Sequence, residues 1–190
     1  MIEDLERFTA VAQGKAPAEL VIQGAKIYQS FTGTFAAGDI AIDQGYIAGL
    51  GDYAGRETIA AEGRYALPGF IDGHIHVESS LLSPGEFARA VVPTGTTAVV
   101  TDPHEIANVA GIPGIRYMMN ASRNLPLDTF FMLPSCVPAT ELEDGGAHLL
   151  AKDLAPLLDE PRVLGLAEMM NVPGVLAGDP VVYDKLMMRH

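Results

Sequence analysis

The sequence predicts an α/β chain. A short helix and a small antiparallel β module occupy residues 1–66, and four βα units forming a parallel sheet occupy residues 67–190. Three observations predict this. Glycine-punctuated β-prone runs fill the first third of the chain. From Tyr65 onward, short apolar strands alternate with helical patterns. Groups of polar residues then follow directly on these strands: His74 and His76; Asp102, His104 and Glu105; Ser135 and Cys136; and Glu168. Chemistry in parallel sheets gathers at the C-terminal strand ends.

The elements follow in order. Ile2, Leu5, Phe8 and Ala12 fall on one helical face, giving an amphipathic helix over residues 2–13. Leu20–Ile22, Lys26–Tyr28, Asp39–Ile42 and Tyr46–Leu50 read as strands separated by Gly24, Gly33, Gly38, Gly45 and Gly51. Asp43-Gln-Gly-Tyr46 reads as a hairpin turn. The apolar side of this module requires a partner sheet for which the sequence shows no candidate. Tyr65–His76 reads as one strand. Pro84–Val92 reads as a helix with Ser83 at its N-cap and Pro84 at its first position. Thr96–Thr101 is uncharged and β-branched, as suits a strand buried on both faces. Helices over Ile112–Asn120, Leu149–Leu158 and Pro180–Arg189 alternate with strands over Thr129–Leu133 and Val163–Glu168.

Composition narrows the class. In 190 residues, 48% are hydrophobic and 19% charged, enough apolar content for a core and too little charge for disorder. Acidic residues number 24 against 12 basic, a net charge of −12 with no basic cluster, which argues against nucleic acid and anionic membranes. One cysteine, Cys136, excludes an intrachain disulfide and points to the cytoplasm. The acidic N-terminus is unlike a signal peptide, and no apolar run reaches the ~20 residues of a membrane span.

His74 and His76 form the strongest site candidate. Residues two apart on a strand share a face, so two imidazoles point together from one strand end, as a divalent cation requires. Asp72 either orients one of them or caps the turn at Gly73. Glu168 closes an apolar strand; burying an unpaired carboxylate is costly, so it reads as a metal ligand, or else as the cap of the next helix. In Asp102-Pro-His-Glu105, His104 and Glu105 are candidates for substrate contact or proton transfer, or are turn residues satisfying backbone. Glu78, in Glu78-Ser-Ser80, is a candidate for substrate contact or a strand terminator. Cys136 reads as a packing thiol, His148 as solvated, and the terminal His190 as no ligand. The chain has no Cys-x-x-Cys, phosphate loop, nucleophile elbow or His-Glu-x-x-His.

A β module followed by Leu67-Pro-Gly-Phe-Ile-Asp-Gly-His-Ile-His76 resembles the amidohydrolase superfamily. Within it, His76-Val-Glu-Ser-Ser80, Thr101-Asp-Pro-His-Glu-Ile-Ala-Asn108 and Gly165-Leu-Ala-Glu-Met-Met-Asn171 resemble the bacterial adenine deaminase family. The resemblance covers nearly the whole chain. It implies that residues 67–190 are the first half of a (β/α)8 TIM-type barrel and residues 1–66 part of a small β-sandwich module. It implies hydrolysis of adenine to hypoxanthine and ammonia at a two-metal centre, with manganese or iron in preference to zinc. His74 and His76 then bind the more buried metal, and Glu168 bridges. Members of the family run to several hundred residues and form homo-oligomers. The resemblance therefore implies an N-terminal portion, inactive alone, with further ligands and a general-base aspartate beyond residue 190. Two other expectations are an amidohydrolase acting on a different aminopurine or cyclic amide, and a non-catalytic half-barrel that pairs with a second chain.

Overall fold

A computed structural model describes residues 2–140 and 142–188. The chain forms two compact units that divide between Pro68 and Gly69.

The first unit is one five-stranded sheet with a helix. Helix α1, Leu5–Ala12, starts where the Asp4 carboxylate accepts a hydrogen bond from the Arg7 N–H. Strands β1 (Ala18–Gln29), β2 (Thr34–Asp43), β3 (Tyr46–Gly51) and β4 (Gly55–Ala60) lie in the order β3-β2-β1-β4, and β5 (Tyr65–Ala66) also pairs with β1. The β1–β2 and β2–β3 pairs are antiparallel, whereas β4 and β5 run parallel to β1. The sheet is therefore mixed, not the expected antiparallel module. The runs read as separate at Leu20–Ile22 and Lys26–Tyr28 are one strand with an irregularity between Ile22 and Ala25. The hairpin stands where expected: Gln44 and Gly45 both have positive φ, 51° and 75°, as a two-residue loop joining twisted strands requires.

Val11 of α1 packs with Ala18, Val21 and Ala41, and Ala25, Ile27, Ile40 and Ala61 form a second cluster. Arg7 reaches the wholly buried Asp43 at 2.6 Å, and the Glu19 N–H donates to the same carboxylate oxygen at 3.1 Å. This ties α1 to the end of β2. An apolar cleft of about 260 Å3, lined by Ile27, Ile40, Ile47, Leu50 and Leu67, marks the side for which the sequence showed no partner.

In the second unit, β6 (Phe70–Ile75), β7 (Thr96–Thr101), β8 (Asp128–Leu133) and β9 (Val163–Leu166) form a parallel sheet in chain order. The single strand expected over Tyr65–His76 is broken. Pro68 has no N–H to donate to a ladder, and the segments on either side of it join different sheets. The helices are α2 (Pro84–Val91), α3 (His104–Ala121), α4 (Ala151–Leu154), α5 (Val172–Ala177) and α6 (Pro180–Leu186). Ser83 caps α2 as expected, accepting from the Glu86 N–H.

Helix α3 departs most from expectation, beginning at His104 and not at Ile112. Gly111 sits at φ 60° and ψ −145°, a break in the spiral, and Pro113 follows at the start of the second segment, where its missing N–H costs nothing. The break conceals the first segment from a periodicity reading. Pro156 likewise turns the end of the expected Leu149–Leu158 helix into a 3-10 turn over Ala155–Leu157. Helix α5 had no counterpart in the sequence reading. The end of the last helix expected over Pro180–Arg189 falls partly outside the described residues, as does His190.

The core of this unit joins strand residues Val99, Phe131, Leu133 and Val163 to helix residues Phe87, Ile115, Met118 and Leu154. Phe131 is fully buried, and the Arg162 guanidinium lies 5.3 Å from its ring centroid while donating to the Met119 and Ser122 carbonyls near the end of α3. No helix among the described residues is long and apolar enough to cross a membrane. Replacing Phe131 by Ala is expected to lower the stability of this unit by about 3–5 kcal/mol, read from the urea midpoint at unchanged slope.

Candidate metal centre

The parallel register gathers the strand ends. Ile75 pairs with Thr101, and the Asp102 N–H donates to the Ile75 carbonyl at 3.1 Å, so residues 76 and 102 leave the sheet side by side. Leu133 pairs with Leu166, and the Ala167 N–H donates to the Leu133 carbonyl at 2.8 Å, which carries the chain to Glu168.

His74 and His76 do not leave β6 as simple alternating neighbours. Asp72 pairs with Val99 and Ile75 with Thr101, three residues against two, so β6 is irregular at Gly73–His74. The Asp72 carboxylate accepts the His74 N–H at 3.1 Å. Asp72 thus braces the irregular backbone and makes no described bond to an imidazole. The His74 side chain is 48% exposed and that of His76 21%. Their ring centroids are nevertheless 4.8 Å apart, and both Nε2 atoms face one oxygen, Oε1 of Glu168, at 3.8 Å and 3.6 Å.

The tautomers follow from the partners. His76 Nδ1 lies 3.0 Å from the Asp102 main-chain carbonyl, which only accepts; Nδ1 therefore carries the proton and Nε2 a free lone pair. His104 Nδ1 lies 3.1 Å from Oδ2 of Asp102, with the same consequence when that carboxylate is ionised. Asp102 itself is 1% exposed, and its Oδ1 has no hydrogen-bond partner. Burial pushes its carboxyl above the ordinary range, against the opposing pull of His104 and His76. One ligand atom from each of His76, Asp102, His104 and Glu168 lies within 4.8 Å of the others.

An orphaned buried carboxylate oxygen, grouped with a His76 Nε2 lone pair that faces a second carboxylate, is what a cation site looks like, so these residues fit a divalent metal. The tight group differs from the expected set. It contains His76 and Glu168, adds Asp102 and His104, and leaves His74 at its margin. Glu168 does not cap the next helix; that place is taken by Asn171, whose side chain accepts from the Gly174 N–H.

The other candidates stand nearby. His104 and Glu105 occupy the first turn of α3 and not a loop. Glu78, on a 3-10 turn over Val77–Ser80, accepts from the Ile106 N–H at 3.4 Å, while its other oxygen is buried without a partner. Burial is the main cause raising its carboxyl, with Glu105 adding repulsion. Glu105 accepts from the Ser79 hydroxyl, and its second oxygen, like Asn108 Oδ1, is buried and unpartnered. Cys136 is buried, with its sulfur near the Ser135 hydroxyl, Met169 and the Asn171 N–H, in keeping with a packing role. His148 is exposed. Asp102 was visible in its motif but not singled out. The signal was the one applied to Glu168: an acid closing an apolar strand.

The Amidohydrolase family pattern matches residues 65–185, nearly two-thirds of the chain. The chain belongs to the amidohydrolase family. Adenine deaminase 2 of Carboxydothermus hydrogenoformans is 55% identical over 185 residues, 97% of this chain and 32% of that protein. The adenine deaminase of Geobacillus kaustophilus is 50% identical over 188 residues, 99% of this chain and 33% of that protein. This amidohydrolase chain thus spans about a third of the length of the curated relatives it matches. Among solved structures, atrazine chlorohydrolase from Arthrobacter aurescens, complexed with zinc, matches with a TM-score of 0.55 at 18% identity, over 77% of this chain and 46% of that one. N-acyl-D-glutamate deacylase from Bordetella bronchiseptica, with zinc and a phosphonate inhibitor, matches with a TM-score of 0.58 at 17% identity, over 85% of this chain and 40% of that one. At such identities the likeness is one of fold.

A cation that binds the folded chain alone stabilises it by about 2.7 kcal/mol at one hundred times its Kd. Added manganese or zinc is therefore expected to raise the melting temperature of the wild-type chain and to leave that of the doubly substituted H76A/E168A chain unmoved, measured by differential scanning calorimetry.

Proposed function

We propose that this chain supplies the first four βα units of a barrel hydrolase that converts adenine to hypoxanthine and ammonia at a two-metal centre. The observation that carries the proposal is the convergence of His74 and His76 on one oxygen of Glu168, in a chain about half identical to named adenine deaminases.

His74, His76 and Glu168 would hold the cations. The group offers imidazole and carboxylate and no thiolate, a donor set that suits manganese or iron. A divalent cation held there would supply Lewis acidity, lowering the pKa of water so that hydroxide is available near neutral pH. The chain's own residues orient and exchange protons. The Asp102 carbonyl holds the His76 ring by its Nδ1–H. Glu78, whose carboxyl burial favours in its protonated form, is suited to give a proton to the departing ammonia. Glu105, fixed by Ser79, is suited to accept from a purine N–H. Two histidines and one carboxylate would not fill the coordination of two cations, so turnover needs further ligands than these.

The test is a chimera in which this chain replaces the matching 185 residues of the Carboxydothermus hydrogenoformans relative. Loaded with manganese, it is expected to release ammonia from adenine, while the 190-residue chain alone releases none. Removing an outer partner of a ligand costs 10- to 100-fold, so His76→Ala in the chimera is expected to lower kcat/KM by more than about 100-fold. A folded chimera that binds manganese and leaves adenine intact would overturn the proposal.

A further inference from the structure

Asp102 makes two contacts of different kinds. Its main-chain carbonyl accepts from His76 Nδ1 at 3.0 Å, and its carboxylate accepts from His104 Nδ1 at 3.1 Å. The two rings stand 4.6 Å apart between centroids, steeply inclined at 75°. With Asp102 ionised, both present Nε2 as the free lone pair, and one ring nitrogen of each belongs to the same group as Glu168. Nothing else in the described bonding of His104 requires a carboxylate to be buried at 1% exposure beside it. A buried carboxylate is costly, and fixing the tautomer of a metal-ligating histidine is a use that offsets such a cost.

We infer that Asp102 is a positioning residue that sets the tautomers of two histidines at once, and that His104 is a further ligand of the metal centre through Nε2. This rests on the reading of the site as a metal centre, and it removes His104 from the residues that would carry protons to substrate. The two contacts separate cleanly. Substituting the side chain at position 102 leaves the carbonyl, so His76 keeps its tautomer while His104 loses its own.

The experiment uses the 190-residue chain and needs no turnover. In the metal-free state, nitrogen-15 NMR of the imidazoles is expected to show the Nδ1–H tautomer for both His76 and His104. In Asp102→Ala, His104 is expected to shift to a tautomer mixture and His76 to stay unchanged. Manganese affinity, read by calorimetric titration, is expected to fall about 10- to 100-fold in Asp102→Ala. His104→Ala is expected to fall by at least as much, and the double variant no further than His104→Ala. Asp102→Asn has the same size and keeps an oxygen that can accept, so it guards against misfolding and is expected to lie between wild type and Asp102→Ala. An unchanged His104 tautomer in Asp102→Ala would overturn the inference. So would wild-type manganese affinity in His104→Ala, or additive losses in the double variant, which would make Asp102 act independently of His104. Failure of the chimera to deaminate adenine would leave these results standing, so the two proposals fail separately.

Discussion

The register of β6 against β7 is the constraint on which the site depends. With Ile75 opposite Thr101, the next residue of each strand leaves the sheet at one level, and the Asp102 carbonyl arrives within hydrogen-bond distance of the His76 ring. A shift of one residue would turn every side chain of β7 to the other face. It would also separate that carbonyl from the imidazole. Register here is fixed by burial. Val99 and Thr101 are fully buried, Val99 in the core with Phe131 and Leu133, and a slipped strand would have to repack both positions. The same packing that makes the unit stable thus sets the imidazole geometry.

The fold was legible where local rules and tertiary packing agree. Ser83-Pro84 marked a helix start, Gln44-Gly45 a hairpin, and the uncharged run at Thr96–Thr101 a buried strand, and each stands in the structure. It was illegible where a single residue interrupts a pattern. Gly111 and Pro113 hid the first two turns of α3, and Pro68 hid the change of sheet between Ala66 and Phe70. The strand Gly55–Ala60 carries Arg56 and Glu57 and is largely exposed, so it has no apolar alternation to betray it.

The site was legible by residue type and illegible by geometry. Histidines two apart and an acid closing a strand identified His74, His76 and Glu168. The irregularity of β6 at Gly73–His74 is a property of pairing, invisible in one strand read alone, and it sets His74 more open to solvent than His76. Asp102 acts partly through its main chain, and no residue-type rule reports what a carbonyl will do.

The sheet of the first unit is closed over a short stretch of chain. Its longest-range pairing joins Lys26 to Tyr65, and Arg7 meets Asp43 within the same span. Domains generally fold as units from the N-terminus during synthesis, at roughly 5–20 residues per second. Among the described residues, every strand of this sheet has therefore been translated before the segment from Phe70 to Ile75 emerges. The ribosome delivers these five strands first, and the strands that carry the candidate site emerge after them.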